Sequence, residues 1–258
     1  MKSSFITLVG LIFGSVYANL KHVVLENNQF INLLGPVTRS SVDAILWEWN
    51  NPSVQQSMNE TKKTTLFINS PGGSVHAGSH LIQYMRSLQN QNITIECIGE
   101  NFMSMAFVIF QACDYRMVLE HSIGMQHQMS FGMRGNIENI RNAFEMHDTI
   151  NENIISMEIE KIGIDRQEYN DKIAHDWWIV GYDNIKENTA DEVVLFSCAQ
   201  DLYEIIQVRK EKLSSYNTFY VYTHKCPLFK DIEVTDTQLS QYFDSYVYRE
   251  KATQWDFN

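Results

Sequence analysis

Short apolar runs alternate along the chain with segments in which apolar residues recur every three or four positions. The runs at 30–34, 64–68 and 93–98 predict buried β-strands. The periodic segments between them predict amphipathic helices that end near residue 49 and cover 77–89. Strands that alternate with helices predict an α/β fold with a mainly parallel sheet and right-handed crossovers.

The second half of this pattern contains a long helix. Two further strands are predicted at 115–119 and 123–129, followed by a loop. A helical pattern then runs from about Ile137 to Lys161 and stops at Gly163, a residue type that commonly ends helices. Beyond residue 195, we expect a helix over 201–213 and a strand over 219–222.

The first residues have the three parts of a secretory signal peptide. Lys2 precedes an uncharged, largely apolar run over 5–16, and Ala18 provides a small residue for cleavage. We therefore expect residues 1–18 to be removed and the mature protein to lie in the secretory pathway or outside the cell. The run is short for a transmembrane helix, so we expect no membrane association after cleavage. A buried N-terminal helix or strand is the alternative.

Composition narrows the classes of partner. The 258 residues are enough for one α/β domain with an appendage, and 44% of them are hydrophobic. The formal net charge of −11 argues against nucleic acid or an anionic membrane as a partner, because the chain would be repelled by either.

The four cysteines fall into two groups. Cys97 and Cys113 lie in predicted core elements, and we expect them to be buried free thiols. Cys198 and Cys226 lie in the C-terminal part and could pair in an oxidising compartment, although spacing alone does not decide this.

Ser104 is the candidate nucleophile. It follows the predicted strand 93–98 after a turn at Gly99 and opens a wholly apolar segment. A serine at a helix N-terminus lies where free backbone N–H groups and the helix dipole favour negative charge. The N–H of Met105 would be one donor of an oxyanion hole. On this stretch alone, a serine that merely caps a buried helix is the simpler interpretation.

Two further stretches favour a catalytic role. A predicted strand runs into the paired glycines 72–73, whose freedom would let a substrate carbonyl reach the N–H of Gly73. His127 lies on an apolar strand and could act as a base, since imidazole titrates near neutral pH. Asp176 precedes two tryptophans and could orient that imidazole. A core histidine and a capping aspartate are the alternatives.

These stretches closely resemble the proteolytic subunit of Clp protease (ClpP). The matching pieces are Ile-Asn-Ser-Pro-Gly-Gly-Ser-Val at 68–75, Met-Ser-Met at 103–105, Met-Gln-His-Gln at 125–128 and the acidic-aromatic-aromatic segment at 176–178. The resemblance implies a ClpP/crotonase-like βαβ superhelix with a mainly parallel sheet and a projecting long helix. Together with the signal-peptide pattern, it divides the chain into the signal peptide 1–18, a peptidase domain 19–195 and a C-terminal extension 196–258 without an assigned role.

The resemblance also implies a function. It predicts a serine endopeptidase that hydrolyses peptides or unfolded proteins, with Ser104 as nucleophile, His127 as base and Asp176 as the group that orients the base. The N–H groups of Gly73 and Met105 would form the oxyanion hole. We expect no metal and no cofactor, because peptide hydrolysis by such a triad requires neither.

The family assembles as rings, so the resemblance predicts a homo-oligomer. The helix over 137–161 matches the element that interlocks two rings, although a surface helix of a monomer is the alternative. The chain has no counterpart of the longer N-terminal segment with which family members face an ATP-driven unfoldase, which argues against such a partner.

Three residues depart from the family pattern around the nucleophile. Phe102 and Met103 replace small residues and are expected to crowd the pocket, and Ala106 replaces a glycine near the oxyanion hole. One alternative function is therefore a ring or scaffold protein whose pocket is blocked. Another is an acyl-CoA enzyme of the crotonase fold, which explains the paired oxyanion donors but not a serine, a histidine and an aspartate at triad spacing.

Overall fold

The computed structural model describes residues 20–203, 206–212, 218–228 and 232–234. These residues form two compact units, one made of 20–21 with 31–195 and the other of 22–30 with the described residues from 196 onward. The predicted signal peptide lies outside the described residues.

Strands and helices alternate along the first unit, which confirms the predicted α/β class. The strands of the described chain are β1 (Lys21–Leu25), β2 (Phe30–Leu34), β3 (Lys63–Ser70), β4 (Thr94–Met103), β5 (Tyr115–Gln126), β6 (Trp177–Val180), β7 (Glu192–Cys198), β8 (Ile206–Lys212), β9 (Thr218–His224) and β10 (Ile232–Val234). The helices are α1 (Arg39–Trp49), α2 (Pro52–Thr61), α3 (Val75–Gln89), α4 (Met105–Gln111), α5 (Ile137–Ile162), α6 (Arg166–Ile173) and α7 (Asp183–Lys186), and a 3₁₀ turn covers Gln200–Tyr203.

The sheet of the first unit has the strand order β7-β5-β4-β3-β2. The pairs β3–β4, β4–β5 and β5–β7 are parallel, whereas β6 pairs with β5 in the antiparallel direction. Leu66, Phe67 and Ile68 of β3 are all fully buried, as expected for a parallel strand covered on both faces. The predicted mainly parallel sheet is therefore confirmed.

Phe102, the penultimate residue of β4, points into the core. Its ring lies 4.3 Å from that of Phe110 and 6.0 Å from that of Phe107, measured between centroids. The space for the ring is left by Gly99 and Gly124, because a Cβ atom on either glycine would meet Phe102. The expectation that Phe102 crowds a substrate pocket is wrong, since the side chain is fully buried in the core against Phe107 and Phe110.

The long helix α5 matches its predicted bounds to within one residue. Asn136 caps its N-terminus, and Gly163 ends it in the left-handed conformation at φ +79°. Its last turns are buried at Ile155, Glu158 and Ile162, whereas apolar side chains on its first turns are exposed.

The second unit contains a three-stranded antiparallel sheet with the order β10-β9-β8. The helix predicted over 201–213 is wrong, because the chain forms the 3₁₀ turn and then β8. Residues Ile206 to Lys212 pair with Thr218 to His224 in antiparallel register, and this pairing overrides the local helical pattern. The strand predicted over 219–222 lies within β9.

Two disulfide bonds occur in the described residues, Cys97–Cys113 and Cys198–Cys226. The second is the pairing that the sequence left open. The expectation of free thiols at Cys97 and Cys113 is wrong, because the fold brings their Cα atoms to 6.0 Å, which is within bridging distance.

Replacing Phe102 by alanine should destabilise the protein strongly. The substitution leaves a cavity among Phe107, Phe110 and the two glycines, so we expect a loss of roughly 3–5 kcal/mol in the free energy of unfolding. Urea denaturation measures this loss, and Phe102→Leu is the control that fills part of the cavity and should cost less. A loss below about 1 kcal/mol would contradict the buried position.

Candidate active site

Ser104 occupies a strained turn between β4 and α4. Its backbone angles are φ +53° and ψ −124°, which residues with a side chain rarely adopt. The Ser104 N–H donates to the carbonyl oxygen of Met125 at 2.7 Å, and this bond holds the turn in place. The Ser104 side chain makes no capping hydrogen bond to α4. The interpretation of Ser104 as a simple helix cap is therefore wrong, and its hydroxyl is directed elsewhere.

The Ser104 hydroxyl is paired with His127, which follows β5. The distance from Ser104 Oγ to His127 Nε2 is 2.9 Å. On the other side of the ring, Nδ1 lies 2.7 Å from the carbonyl oxygen of Gln128. A carbonyl oxygen can only accept, so Nδ1 carries the hydrogen and Nε2 is left to accept from the serine hydroxyl. This is the tautomer that a general base requires.

Asp176 lies beside His127 in the strand register, but the two side chains are not hydrogen-bonded. Strand β6 pairs Trp177 with Gln126, so continuing the antiparallel register by one residue sets Asp176 opposite His127. The Asp176 side chain is exposed. Within the described residues, the Gln128 carbonyl occupies the position at Nδ1 that the triad assigns to the carboxylate.

Gly72 packs directly against the turn at Ser104. A Cβ atom at Gly72 would lie 2.7 Å from Ser104 Cβ and 2.9 Å from the backbone nitrogen of Met105. The residue also has φ +87°, which favours glycine. Only glycine therefore allows the two loops to approach this closely.

The backbone N–H groups of Gly73 and Met105 lie in these two adjoining loops. The turn at Gly73 is held by Val37, whose N–H donates to the Gly72 oxygen and whose oxygen accepts from Ser74, both at 2.8 Å. Neither the Gly73 N–H nor the Met105 N–H donates to another residue of the described chain. Both are thus free to bind an oxygen atom of a ligand.

The described residues provide no support for a pocket blocked by the departures from the family pattern. Ala106, like Phe102, is fully buried in the core, and Met103 is partly buried. A cavity of about 240 Å³ opens beside Gln128. Its walls come from the loop after β5, α5 and α6, and include Met129, Phe131, Phe144, His147, Asp148 and Arg166.

A buried polar cluster behind His127 was missed by the sequence analysis. Glu158 of α5 is fully buried and accepts from Gln126 Nε2 at 2.7 and 2.9 Å and from the Tyr169 hydroxyl at 2.5 Å. Gln126 Oε1 in turn accepts from the backbone N–H of His127 at 3.1 Å. The sequence signal was the spacing of Glu158, three residues after Ile155 on the buried face of α5.

Burial raises the pKa of the Glu158 carboxyl to about 7, and the hydrogen bonds from Tyr169 and Gln126 oppose part of that effect. Loss of solvation disfavours the charged form, whereas donors stabilise it.

Within the described part of the chain, no group of His, Cys, Asp and Glu side chains could hold a metal ion. No helix among these residues has the length and hydropathy needed to cross a membrane.

A model of the Clp protease family matches residues 20–195, so the chain belongs to that family. The chain is 36% identical over 100 residues to the ATP-dependent Clp protease proteolytic subunit of Deinococcus radiodurans, a match that covers 36% of this chain and 48% of that protein. It is 25% identical over 191 residues to proteolytic subunit 1 of Borreliella burgdorferi, covering 69% of this chain and 98% of that protein. The chain thus spans about half the length of the first relative and nearly all of the second. Family membership supports a peptidase, which is a hydrolase.

Glu158→Gln should change how stability depends on pH. The folded-state pKa of about 7 lies above the ordinary value of 4.5, so the stability that protonated Glu158 confers is complete below pH 4.5 and is lost as the pH rises to about 7. We expect this loss to be roughly 3 kcal/mol in the wild type and absent in Glu158→Gln. Urea denaturation across this pH range measures the slope. The exposed neighbour Glu160→Gln is the control and should keep it; equal slopes in both variants would contradict the assignment.

Proposed function

We propose that the protein is a serine endopeptidase that hydrolyses peptides or unfolded proteins. The observation that carries this proposal is the 2.9 Å contact between Ser104 Oγ and His127 Nε2, with His127 Nδ1 engaged by a carbonyl oxygen. A serine hydroxyl is a weak nucleophile until a base removes its proton, and His127 is in position to do so.

The reaction follows from the positions of these groups. Ser104 Oγ attacks the peptide carbonyl carbon while its proton moves to His127 Nε2. The carbonyl oxygen becomes negatively charged and binds the N–H groups of Gly73 and Met105. His127 then returns the proton to the leaving amine, and water releases the acyl group from Ser104 by the same steps.

Asp176 is proposed to stabilise His127 once the imidazole is charged. The register of β5 and β6 supports this role, because it ends at the pair Gln126 and Trp177, one residue away from His127 and Asp176 respectively. The Gln128 carbonyl would have to move away from Nδ1 before the Asp176 carboxylate took its place. A carboxylate stabilises an imidazolium more than a neutral carbonyl does, because the hydrogen bond joins two charges.

We also propose that the chain forms a homo-oligomeric ring that encloses the Ser104 sites. The first half of α5 carries exposed apolar side chains, with Ile137 at 74% and Phe144 at 55% exposure. Monomeric soluble proteins rarely expose contiguous apolar surface of this kind. We propose that α5 of a second copy covers this apolar surface. Such a contact agrees with the ring assembly expected for the family.

Entry into the secretory pathway is proposed from the pattern of residues 1–18. The two disulfide bonds support it, because such bonds persist in oxidising compartments. N-terminal sequencing of the natural protein should find Asn19 first, and a retained Met1 or Lys2 would contradict this proposal.

A fluorophosphonate should add once per chain, at Ser104. Ser104→Ala should abolish labelling without unfolding the protein, because it removes a single hydroxyl. Asp176→Asn should retain the fold and reduce peptide turnover by roughly 10⁴. Intact-protein mass spectrometry measures the labelling, and Ser130→Ala, an exposed serine near His127, is the control. Labelling that persists in Ser104→Ala would refute the assignment.

If the Ser104 sites lie inside a closed ring, only short or unfolded peptides can reach them. We expect rapid hydrolysis of short or unfolded peptides and no hydrolysis of a stable folded protein, with or without ATP, because a closed chamber excludes folded chains. Light scattering should give a mass several times that of the 30.0 kDa chain. A monomer in solution would overturn the chamber, and rapid digestion of a folded protein would show that the sites are open.

A further inference from the structure

We propose that Glu158 is a positioning residue for the base His127 and acts on it through the side chain of Gln126. The inference rests on the proposed function, because it concerns how the base is held. Glu158 touches neither Ser104 nor His127 directly, and its only link to the site in the described chain is the amide of Gln126.

The link is a chain of hydrogen bonds with a defined direction. Both carboxylate oxygens of Glu158 accept from Gln126 Nε2, which fixes the amide group with its oxygen towards the N–H of His127. Gln126 is 4% exposed, so water does not compete for these bonds. The orientation of Gln126 therefore determines whether the N–H of His127 has an acceptor.

The Gln126 amide can turn over, and the charge of Glu158 decides which way it faces. An ionised carboxylate only accepts, so it selects the orientation with Nε2 towards Glu158. A protonated carboxyl can donate its O–H to Oε1 and stabilise the reversed amide. The reversed amide would present its NH₂ group to the N–H of His127, so two donors would face each other and the loop carrying the base would shift.

The groups around Glu158 determine the pH at which its charge changes, and therefore the pH at which the Gln126 amide changes orientation. Tyr169 from α6 and Gln126 from β5 are the polar groups that contact the carboxyl in the described chain. Burial, the largest effect, raises its pKa to about 7, and the two donors oppose part of that rise. Burial and the neighbouring Glu158 carboxylate raise the pKa of Tyr169 well above its ordinary value, and Arg166 of α6 opposes part of that effect. Deprotonated Glu158 is therefore the state that holds His127 correctly, and it predominates above neutral pH.

The test is the rate of fluorophosphonate labelling of Ser104 between about pH 5.5 and 8.5. We expect the wild-type rate to rise more steeply with pH around pH 7 than the rate of Glu158→Gln, because only the wild type also loses the orientation of Gln126 when Glu158 is protonated, and labelling of this variant at high pH to be roughly tenfold slower. Tyr169→Phe should move this additional rise to higher pH, because it removes a donor that stabilises the carboxylate. The matched control Glu160→Gln should retain the wild-type profile.

A second variant distinguishes loss of the hydrogen-bonded link from loss of the fold. Gln126→Glu/Glu158→Gln exchanges the two groups, and the carboxylate then lies next to the N–H of His127, where it can still accept. Labelling near the wild-type rate at high pH is expected. A folded exchange variant as slow as Glu158→Gln, or a Glu158→Gln profile identical to that of the wild type, would overturn the inference.

Failure of the proposed function gives a different result. If the wild type is not labelled at all, Ser104 is not an activated nucleophile. The backbone amide proton of His127, observed by NMR in histidine-labelled protein, then tests the link by itself. Its shift should change more around pH 7 in the wild type than in Glu158→Gln, and equal changes in the two proteins would contradict the link.

Discussion

Close approach of the Gly72 backbone to the turn at Ser104 is the constraint on which the site depends. The space that a Cβ atom would need is already filled by Ser104 and Met105. Ser104 itself has a positive φ of +53° that is unfavourable for a residue with a side chain, and strain of this kind persists only where the surroundings enforce it. Here the N–H bond to the Met125 carbonyl and the packed glycine turn both do so. The loops after β3 and β4 thus hold each other in the geometry that sets the Ser104 hydroxyl beside His127 and leaves the N–H groups of Gly73 and Met105 without an acceptor in the described chain.

The parallel sheet explains why the base lies next to this turn. Strands β4 and β5 are neighbours, and both end at the same edge of the sheet, so Ser104 after β4 meets His127 after β5. Strand β6 pairs with β5 in the antiparallel direction and therefore begins at this edge, directly after Asp176. Carboxyl ends of parallel strands commonly carry the functional residues of α/β proteins. Behind this edge, α5 supplies Glu158, so one helix contributes both the buried cluster at the base and the exposed apolar surface proposed for assembly.

Sequence reasoning succeeded where the chemistry is local. The strand before Ser104 and the apolar helix after it can be identified from neighbouring residues alone. The turn expected at Gly99 is wrong, because β4 continues through a register shift there to Met103. Sequence reasoning failed where the outcome depends on packing between distant elements. The side on which Phe102 points, the pairing of Cys97 with Cys113 and the contact of Glu158 with a strand are all set by tertiary structure. The helix expected over 201–213 failed because strand pairing overrode local propensity.

The central claim is that Ser104 forms a covalent acyl intermediate with the help of His127. Acid quenching during hydrolysis of an activated ester, followed by peptide mass spectrometry, tests it directly. The account predicts an acyl group on Ser104 in the wild type and none in His127→Ala, because the hydroxyl then has no base. Ester turnover with an acyl group on another residue, or with equal acylation of His127→Ala, would contradict it.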